Sequence, residues 1–217
     1  MIDMMVVSSI KTPRIKWLRV PYRTIVADPP WPVKDSGART APLSGHRAGN
    51  WEKGAGTEGK PSVVPYVRLS IPQIGALPVE SLAERDAHLY LWVVNEFLPD
   101  AYQIARWWGF KPVELLTWCK PPMGLGFGGA YCNTTEFVLF CRRGSLRAKR
   151  RWQSSWFNWS RPYIGTGGPT HSAKPEHFLD VVEQVSPGPY VELFARRHRL
   201  GWDVWGNESA NTAELAV

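Results

Sequence analysis

Thr24-Ile25-Val26-Ala27-Asp28-Pro29-Pro30-Trp31 decides how this chain is read. The apolar run from Thr24 to Ala27 predicts a buried strand. It stops at a carboxylate, and two prolines follow that cannot continue a sheet ladder. Such a strand delivers an acid, a rigid turn and an aromatic plate to one end of a sheet, where ligands of open α/β sheets bind. A plain surface turn can also use Asp-Pro-Pro. The trailing Trp31 favours a turn on which something stacks.

Downstream, the stretch from Pro32 to Pro65 contains Gly, Lys and Arg with little periodicity. Its length and its place after the turn predict an active-site loop. Ser70-Ile71-Pro72-Gln73 is a helix start: Ser70 is an N-cap, Pro72 lies in the first turn, and Gln73 stands at the capping-box position. The expected helix runs to about Leu77. Ala87 to Val94 is a strongly apolar strand. Leu98, Ala101, Ala105 and Trp108 fall at helical spacing, and Gly109 is the stop signal. Val113–Cys119 and Thr135–Cys141 are the next strands. The glycine-rich segment from Pro121 to Tyr131 lacks a phosphate-loop pattern and predicts a mobile loop near substrate. Lys174 to Ser186 is an amphipathic helix with Phe178, Val181, Val182 and Val185 on one face, ended by Pro187-Gly188-Pro189. Tyr190–Ala195 and Trp202–Trp205 are strands. Residues 1–22 read as an irregular lead-in, and the tail from Asn211 as disordered. Strands alternating with helices imply a doubly wound α/β sheet. The 217 residues make a single domain, with no internal repeat.

The formal net charge is +7, which suits a polyanionic partner such as nucleic acid. Six of the ten residues from Arg142 to Arg151 are basic. Arg147, Lys149, Arg150 and Arg151 are therefore candidate phosphate contacts, although a solvated loop is the ordinary reading of such a run. Three cysteines, with no ligand spacing, argue against a zinc site or a disulfide framework and for a reduced, cytoplasmic compartment. No signal peptide is visible, and no run is long enough to span a bilayer.

A second group of candidates lies near the C-terminus. Ser172 and the free N–H groups of the following helix can hold an anion, and Lys174 can pair with it. Glu192 to His198 and Gly206-Asn207-Glu208 end strands at the same sheet edge, where acidic or amide side chains can hold ribose hydroxyls. With the first stretch, these point to a nucleoside-bearing cofactor.

The Asp-Pro-Pro-Trp motif resembles that of exocyclic-amine methyltransferases. In that chemistry a carboxylate and a main-chain carbonyl accept the hydrogens of an amine whose lone pair is delocalised into a base. Positioning and electrostatics then supply most of the rate. The ordered set Ala27-Asp-Pro-Pro-Trp31, Leu89-Tyr-Leu-Trp92, His171-Ser-Ala-Lys-Pro-Glu176, Pro187-Gly188, Glu192-Leu-Phe-Ala-Arg196 and Trp205-Gly-Asn-Glu208 resembles the MT-A seventy-type family of N6-adenine methyltransferases. The similarity runs from about Arg23 to Glu208. It implies a class I, Rossmann-like methyltransferase fold with a mixed sheet and permuted motif order, and S-adenosylmethionine as cofactor with no metal. Asp28, Pro29, Pro30 and Trp31 would be catalytic. Asp28, Ser172, Lys174, Arg196, His198, Asn207 and Glu208 would bind the cofactor. Trp31, Tyr66, Asn133 and Glu136 would face the substrate base.

Arg199 departs from the family, which often carries Asn there. The expected activity is methylation of adenine N6 in nucleic acid, DNA favoured over RNA, in a homodimer or beside a partner subunit. A catalytically silent scaffold and another acceptor amine are the alternatives.

Overall fold

The computed structural model of the protein describes residues 14–16, 21–33, 68–120, 131, 133–160, 173–206 and 214–216. The quoted stretch forms β2 (Tyr22–Ala27), an inner strand of a seven-stranded sheet. On one side of it lie, in order, β3 (Ala83–Val93), β5 (Thr135–Arg143), β4 (Lys111–Cys119) and β6 (Trp156–Phe157). On the other side lie β7 (Tyr190–Leu193) and β8 (Trp202–Trp205). β5 runs antiparallel to both its neighbours, and the other pairings are parallel. The chain leaves β2 toward β3 and later returns to place β7 on its other flank. The topological switch therefore falls at the C-terminal end of β2, where open α/β sheets bind ligands.

Helices cover both faces, as the alternation predicts. On one face α1 (Ile71–Gly75), α2 (Val79–Leu82) and α3 (Leu98–Trp107) pack over Tyr22, Ile25, Leu89, Leu91, Leu139, Val191 and Leu193. On the other, α4 (His177–Val185) lays Phe178, Leu179, Val181 and Val182 against Val26, Tyr90, Trp92, Trp118 and Trp202. α1 begins with the expected capping box: Ser70 Oγ accepts from the Gln73 amide, and the Gln73 side chain accepts from the Ser70 amide. After α3, Gly109 takes φ +78°, a conformation open to glycine at little cost.

A buried polar relay ties the sheet to α4. Tyr90 OH lies 2.7 Å from Ser186 Oγ, which lies 2.7 Å from His88 Nδ1, and His88 Nε2 lies 3.2 Å from the Leu146 carbonyl. A carbonyl only accepts, so Nε2 carries the proton, Nδ1 accepts from Ser186, and Ser186 accepts from Tyr90. Those directions at Nδ1 are the neutral ring's, which burial favours by pushing the His88 pKa down to about 4.

Three expectations are corrected. α4 begins at His177, not Lys174, because Ala173-Lys174-Pro175 stays outside the helix and its first bonded amides, those of Phe178 and Leu179, donate to the Pro175 and Glu176 carbonyls. The lead-in and the tail are not wholly irregular: β1 (Arg14–Lys16) and β9 (Glu214–Ala216) pair antiparallel in a sheet of their own. α2 and β6 are too short to show a period and were not foreseen. Most of the expected active-site loop (34–65) and the glycine-rich segment (121–130) lie outside the described residues.

Candidate active site

The site is built from the ends of four strands on the α4 face. β2 alternates Val26 toward α4 and Ala27 away, so Asp28 returns to the α4 side. Its amide bonds the Leu193 carbonyl of β7 at 3.4 Å, which anchors it at the switch point. Lys174, in the turn before α4, places Nζ 2.9 Å from Asp28 Oδ2 and 3.3 Å from Glu136 Oε2. Glu136 opens β5, and its Oε1 takes Lys120 Nζ at 2.8 Å from the end of β4. The result is an alternating chain: Asp28, Lys174, Glu136, Lys120. Each lysine also lies over an indole, Lys174 over Trp92 at 5.4 Å and Lys120 over Trp118 at 5.7 Å. Trp118 is itself pinned, its indole N–H donating to the Trp159 carbonyl at 2.8 Å.

Burial and charge pull these groups in opposite directions. Burial lifts the Asp28 carboxyl above its usual range; Lys174 and Arg196 oppose the shift, and Glu136 adds to it. Burial alone would lift Glu136 too, but the ammonium groups of Lys174 and Lys120 overcome it and hold that carboxyl below its usual range. Two carboxylates outweigh burial at Lys174, which stays firmly protonated.

Glu192 lies on the same face, beside Val26 on β2. Burial pushes its pKa up to about 7, Arg197 opposing this and Asp28 adding to it. Its Oε2 is buried and makes no hydrogen bond. A buried carboxylate oxygen at a ligand edge with nothing to accept from fits a donor supplied by a bound molecule.

The turn after Asp28 is rigid. Trp31 N–H donates to the Pro29 carbonyl at 2.8 Å, and Leu69 N–H to the Pro30 carbonyl at 3.0 Å. Each of these carbonyls keeps a second lone pair. Trp31 is not the open plate that was expected. It is 4% exposed, stacks on Phe97 at 5.6 Å and donates its indole N–H to the Trp92 carbonyl at 3.0 Å. Alternation sends it into the core under the opposite face, where it fixes the turn from below.

Of the other expected cofactor residues, Arg196 is half-buried and close enough to Asp28 to act on its charge, while His198 is exposed. Asn133 is exposed at the head of β5, on the site edge. Tyr66, Ser172, Asn207 and Glu208 lie outside the described residues.

The basic run starts at the opposite edge of the sheet from Asp28. β5 is antiparallel, so Glu136 starts it at the site edge and Arg143 ends it at the other, about 24 Å away at ~3.4 Å per residue. Lys149 is fixed there, its amide donating to the Val185 carbonyl and its ammonium to the Glu183 carbonyl, both at 2.7 Å. Arg147 and Lys149 therefore sit at the sheet edge away from Asp28, and Arg150 and Arg151 begin the segment that returns beside β4.

Three residues were missed. Lys120 could have been found, because alternation from Trp118 puts it on the same face. Arg197 donates to the Lys174 carbonyl at 3.3 Å and pairs with Glu176 at 2.8 Å, fixing the backbone that presents Lys174. Arg199 replaces the family's Asn and clamps α4 instead, bonding Asp180 at 2.6 Å and Glu183 at 2.8 and 2.9 Å. No sequence signal separates those two roles in Arg196-Arg197-His198-Arg199.

Among the described residues no His, Cys, Asp and Glu cluster could hold a metal ion, and no helix is long and apolar enough to cross a membrane. The model of the MT-A70 family matches residues 22–208. A type II methyltransferase, M.MunI, from Mycoplasma sp is 27% identical over 88% of this chain and 78% of its own. A putative N(6)-adenosine-methyltransferase MT-A70-like protein of Medicago truncatula is 28% identical over 67% of this chain and 24% of its own. An N6-methyladenosine RNA methyltransferase, MTA1, of Pyricularia oryzae is 26% identical over 86% of this chain and 46% of its own. The chain thus spans most of the first relative, but under half of the other two. The matched region holds every strand of the main sheet and the whole Asp28 to Lys120 charge chain, and on that ground the chain belongs to the MT-A70 family, as a methyltransferase on a class I fold.

Proposed function

We propose that the protein transfers a methyl group from S-adenosylmethionine to the N6 amine of adenine in nucleic acid, with DNA favoured over RNA. One observation carries this reading: a carboxylate at the switch point of the sheet, flanked by a rigid proline turn and held by a lysine that a second carboxylate shares. The lean toward DNA draws support from the relatives. The type II methyltransferase matches along most of both chains, whereas the chain covers only 46% of the enzyme whose name specifies RNA.

The amine needs two acceptors. Asp28 supplies one, and the second lone pair of the Pro29 carbonyl the other. Drawing the hydrogens to those oxygens frees the nitrogen lone pair and aims it across the sheet edge. For Asp28 to turn to the amine it must loosen its bond to Lys174. Glu136 then keeps Lys174 in place, and Lys120 keeps Glu136. After transfer, the nitrogen holds a surplus proton. The Asp28 carboxyl, lifted by burial, is suited to take it.

S-adenosylmethionine would supply an electrophilic methyl on a sulfonium. The residues present fit it: Glu192 Oε2 and Asp28 are acceptors for its ammonium group, and Arg196 is a cation for its carboxylate. A base inside a duplex would be flipped out to reach Asp28. The test is labelled-methyl transfer to single- and double-stranded DNA and to RNA, and transfer to none of the three sinks the proposal.

A further inference from the structure

The segment from Lys149 to Trp159 runs along the open side of the sheet, beside β4. It starts at the far edge, where Lys149 is fixed to the end of α4, and ends at the site edge, where Trp156 pairs with Thr117 in line with Phe137 and Val93. Between Glu136 and Glu176 the chain has no acidic residue and eight Lys or Arg. Arg151 is exposed, and Arg150 lies over the Trp152 ring at 5.3 Å.

Trp156 is 57% exposed, yet its backbone is fixed. Its amide donates to Ser154 Oγ at 3.1 Å, its carbonyl accepts from the same hydroxyl at 2.8 Å, and the Ser155 carbonyl takes the Thr117 amide at 2.9 Å. Its neighbour Phe157 is buried and stacks on Trp159 at 4.4 Å. Trp107 is nearly as exposed at 52%, but its ring closes over Gly75, where a Cβ would come within 2.5 Å of it. The Trp107 ring thus has a packing role on α1. Trp156 has a rigid mount and an indole left to solvent.

We propose that Trp156, with Arg150 and Arg151, is a platform for a single-stranded stretch of nucleic acid beside the target base. The indole stacks on a base, which needs no particular sequence, and the guanidinium groups meet phosphates. Four strand spacings of ~4.8 Å separate β6 from β2, so the stacked base lies about 19 Å along the sheet from Asp28 and belongs to a flanking nucleotide. A stretch of chain with eight Lys or Arg and no acid favours a polyanion over a protein partner or a second copy of the chain. This inference rests on the nucleic-acid reading above.

Fluorescence anisotropy with a labelled single-stranded oligonucleotide of about 16 nucleotides tests it. Trp156→Ala should raise Kd between about 5- and 150-fold and leave the salt slope unchanged. Arg150→Gln with Arg151→Gln should shrink the slope of log K against log salt by about 1.4, two phosphates at ~0.7 each. Trp107→Ala should change neither, and circular dichroism checks each fold. Wild-type affinity in Trp156→Ala overturns the platform, as does an oligomer that falls apart in that variant while oligonucleotide binding holds. A wild-type protein that methylates but gives equal Kd with and without Trp156 removes the platform alone. A wild-type protein that binds no oligonucleotide removes the platform and the nucleic-acid reading together.

Discussion

Glu192→Gln is the most informative single change outside the reacting groups. In the folded protein the Glu192 carboxyl titrates at about 7, against an ordinary 4.5, because it is buried and faces Asp28. Between those values the unfolded chain releases this proton and the folded chain keeps it. The folded state binds more protons there, so stability falls as pH rises. The loss is fully avoided below about 4.5 and complete above about 7. A shift of roughly 2.5 units at ~1.36 kcal/mol each gives about 3 kcal/mol. His88 works against it in nearly the same window. It is buried neutral with a pKa of about 4 against 6.5, so its contribution is present above 6.5 and is lost as pH falls toward 4. The two slopes offset each other, and their sum in the wild type should be shallow from pH 4.5 to 6.5. Removing the Glu192 charge should expose the His88 slope, with stability rising by ~1.36 kcal/mol per pH unit. Urea unfolding at half-unit steps from pH 4 to 8 measures this as the difference between variant and wild type. The variant should gain about 3 kcal/mol on the wild type between pH 4.5 and 7.5. A difference that stays constant across that range would refute the buried, unpaired state assigned to Glu192.

Other changes separate chemistry from scaffold. Asp28→Ala should cut methyl transfer by roughly a hundredfold or more while the unfolding midpoint holds, measured by turnover with saturating cofactor. Trp31→Ala should instead destabilise the fold by about 3–5 kcal/mol in urea, since its ring is core and not an open platform. Lys120→Met should lower turnover roughly ten- to a hundredfold by loosening Glu136, and Lys120→Arg should restore most of it; equal rates in Lys120→Met would remove the charge chain from the account.

The sequence was clearest where a local rule sufficed. Apolar runs located β2, β3 and β5. The Ser70–Gln73 pair located α1, Gly109 ended α3, and the spacing of Phe178, Val181 and Val182 found the buried face of α4. What stayed hidden depends on how distant strands are arranged. No local pattern says that β5 reverses, yet that reversal carries the run from Arg142 to Arg151 away from Asp28 and brings Glu136 to Lys174. Nor does a tripeptide such as Arg14–Lys16 announce a partner near the other end of the chain. Trp31 lies on the expected turn but on its inner side, because the alternation from Val26 and Ala27 carries through the two prolines and turns the indole to the face opposite Asp28. Asp28 and Lys174 were legible because their roles are bound to short motifs. Lys120 was within reach of the alternation from Trp118, whereas Arg197 and the empty hydrogen-bonding side of Glu192 emerged only once four strands met at one edge.

Mass spectrometry of nucleosides from an adenine-containing oligonucleotide, incubated with S-adenosylmethionine and either wild-type protein or Asp28→Ala, addresses the central claim most directly. The account predicts N6-methyladenine from the wild type and at least about a hundredfold less from the variant, with both proteins folded. Equal N6-methyladenine from both, or a methyl found on another atom of the base, would contradict it.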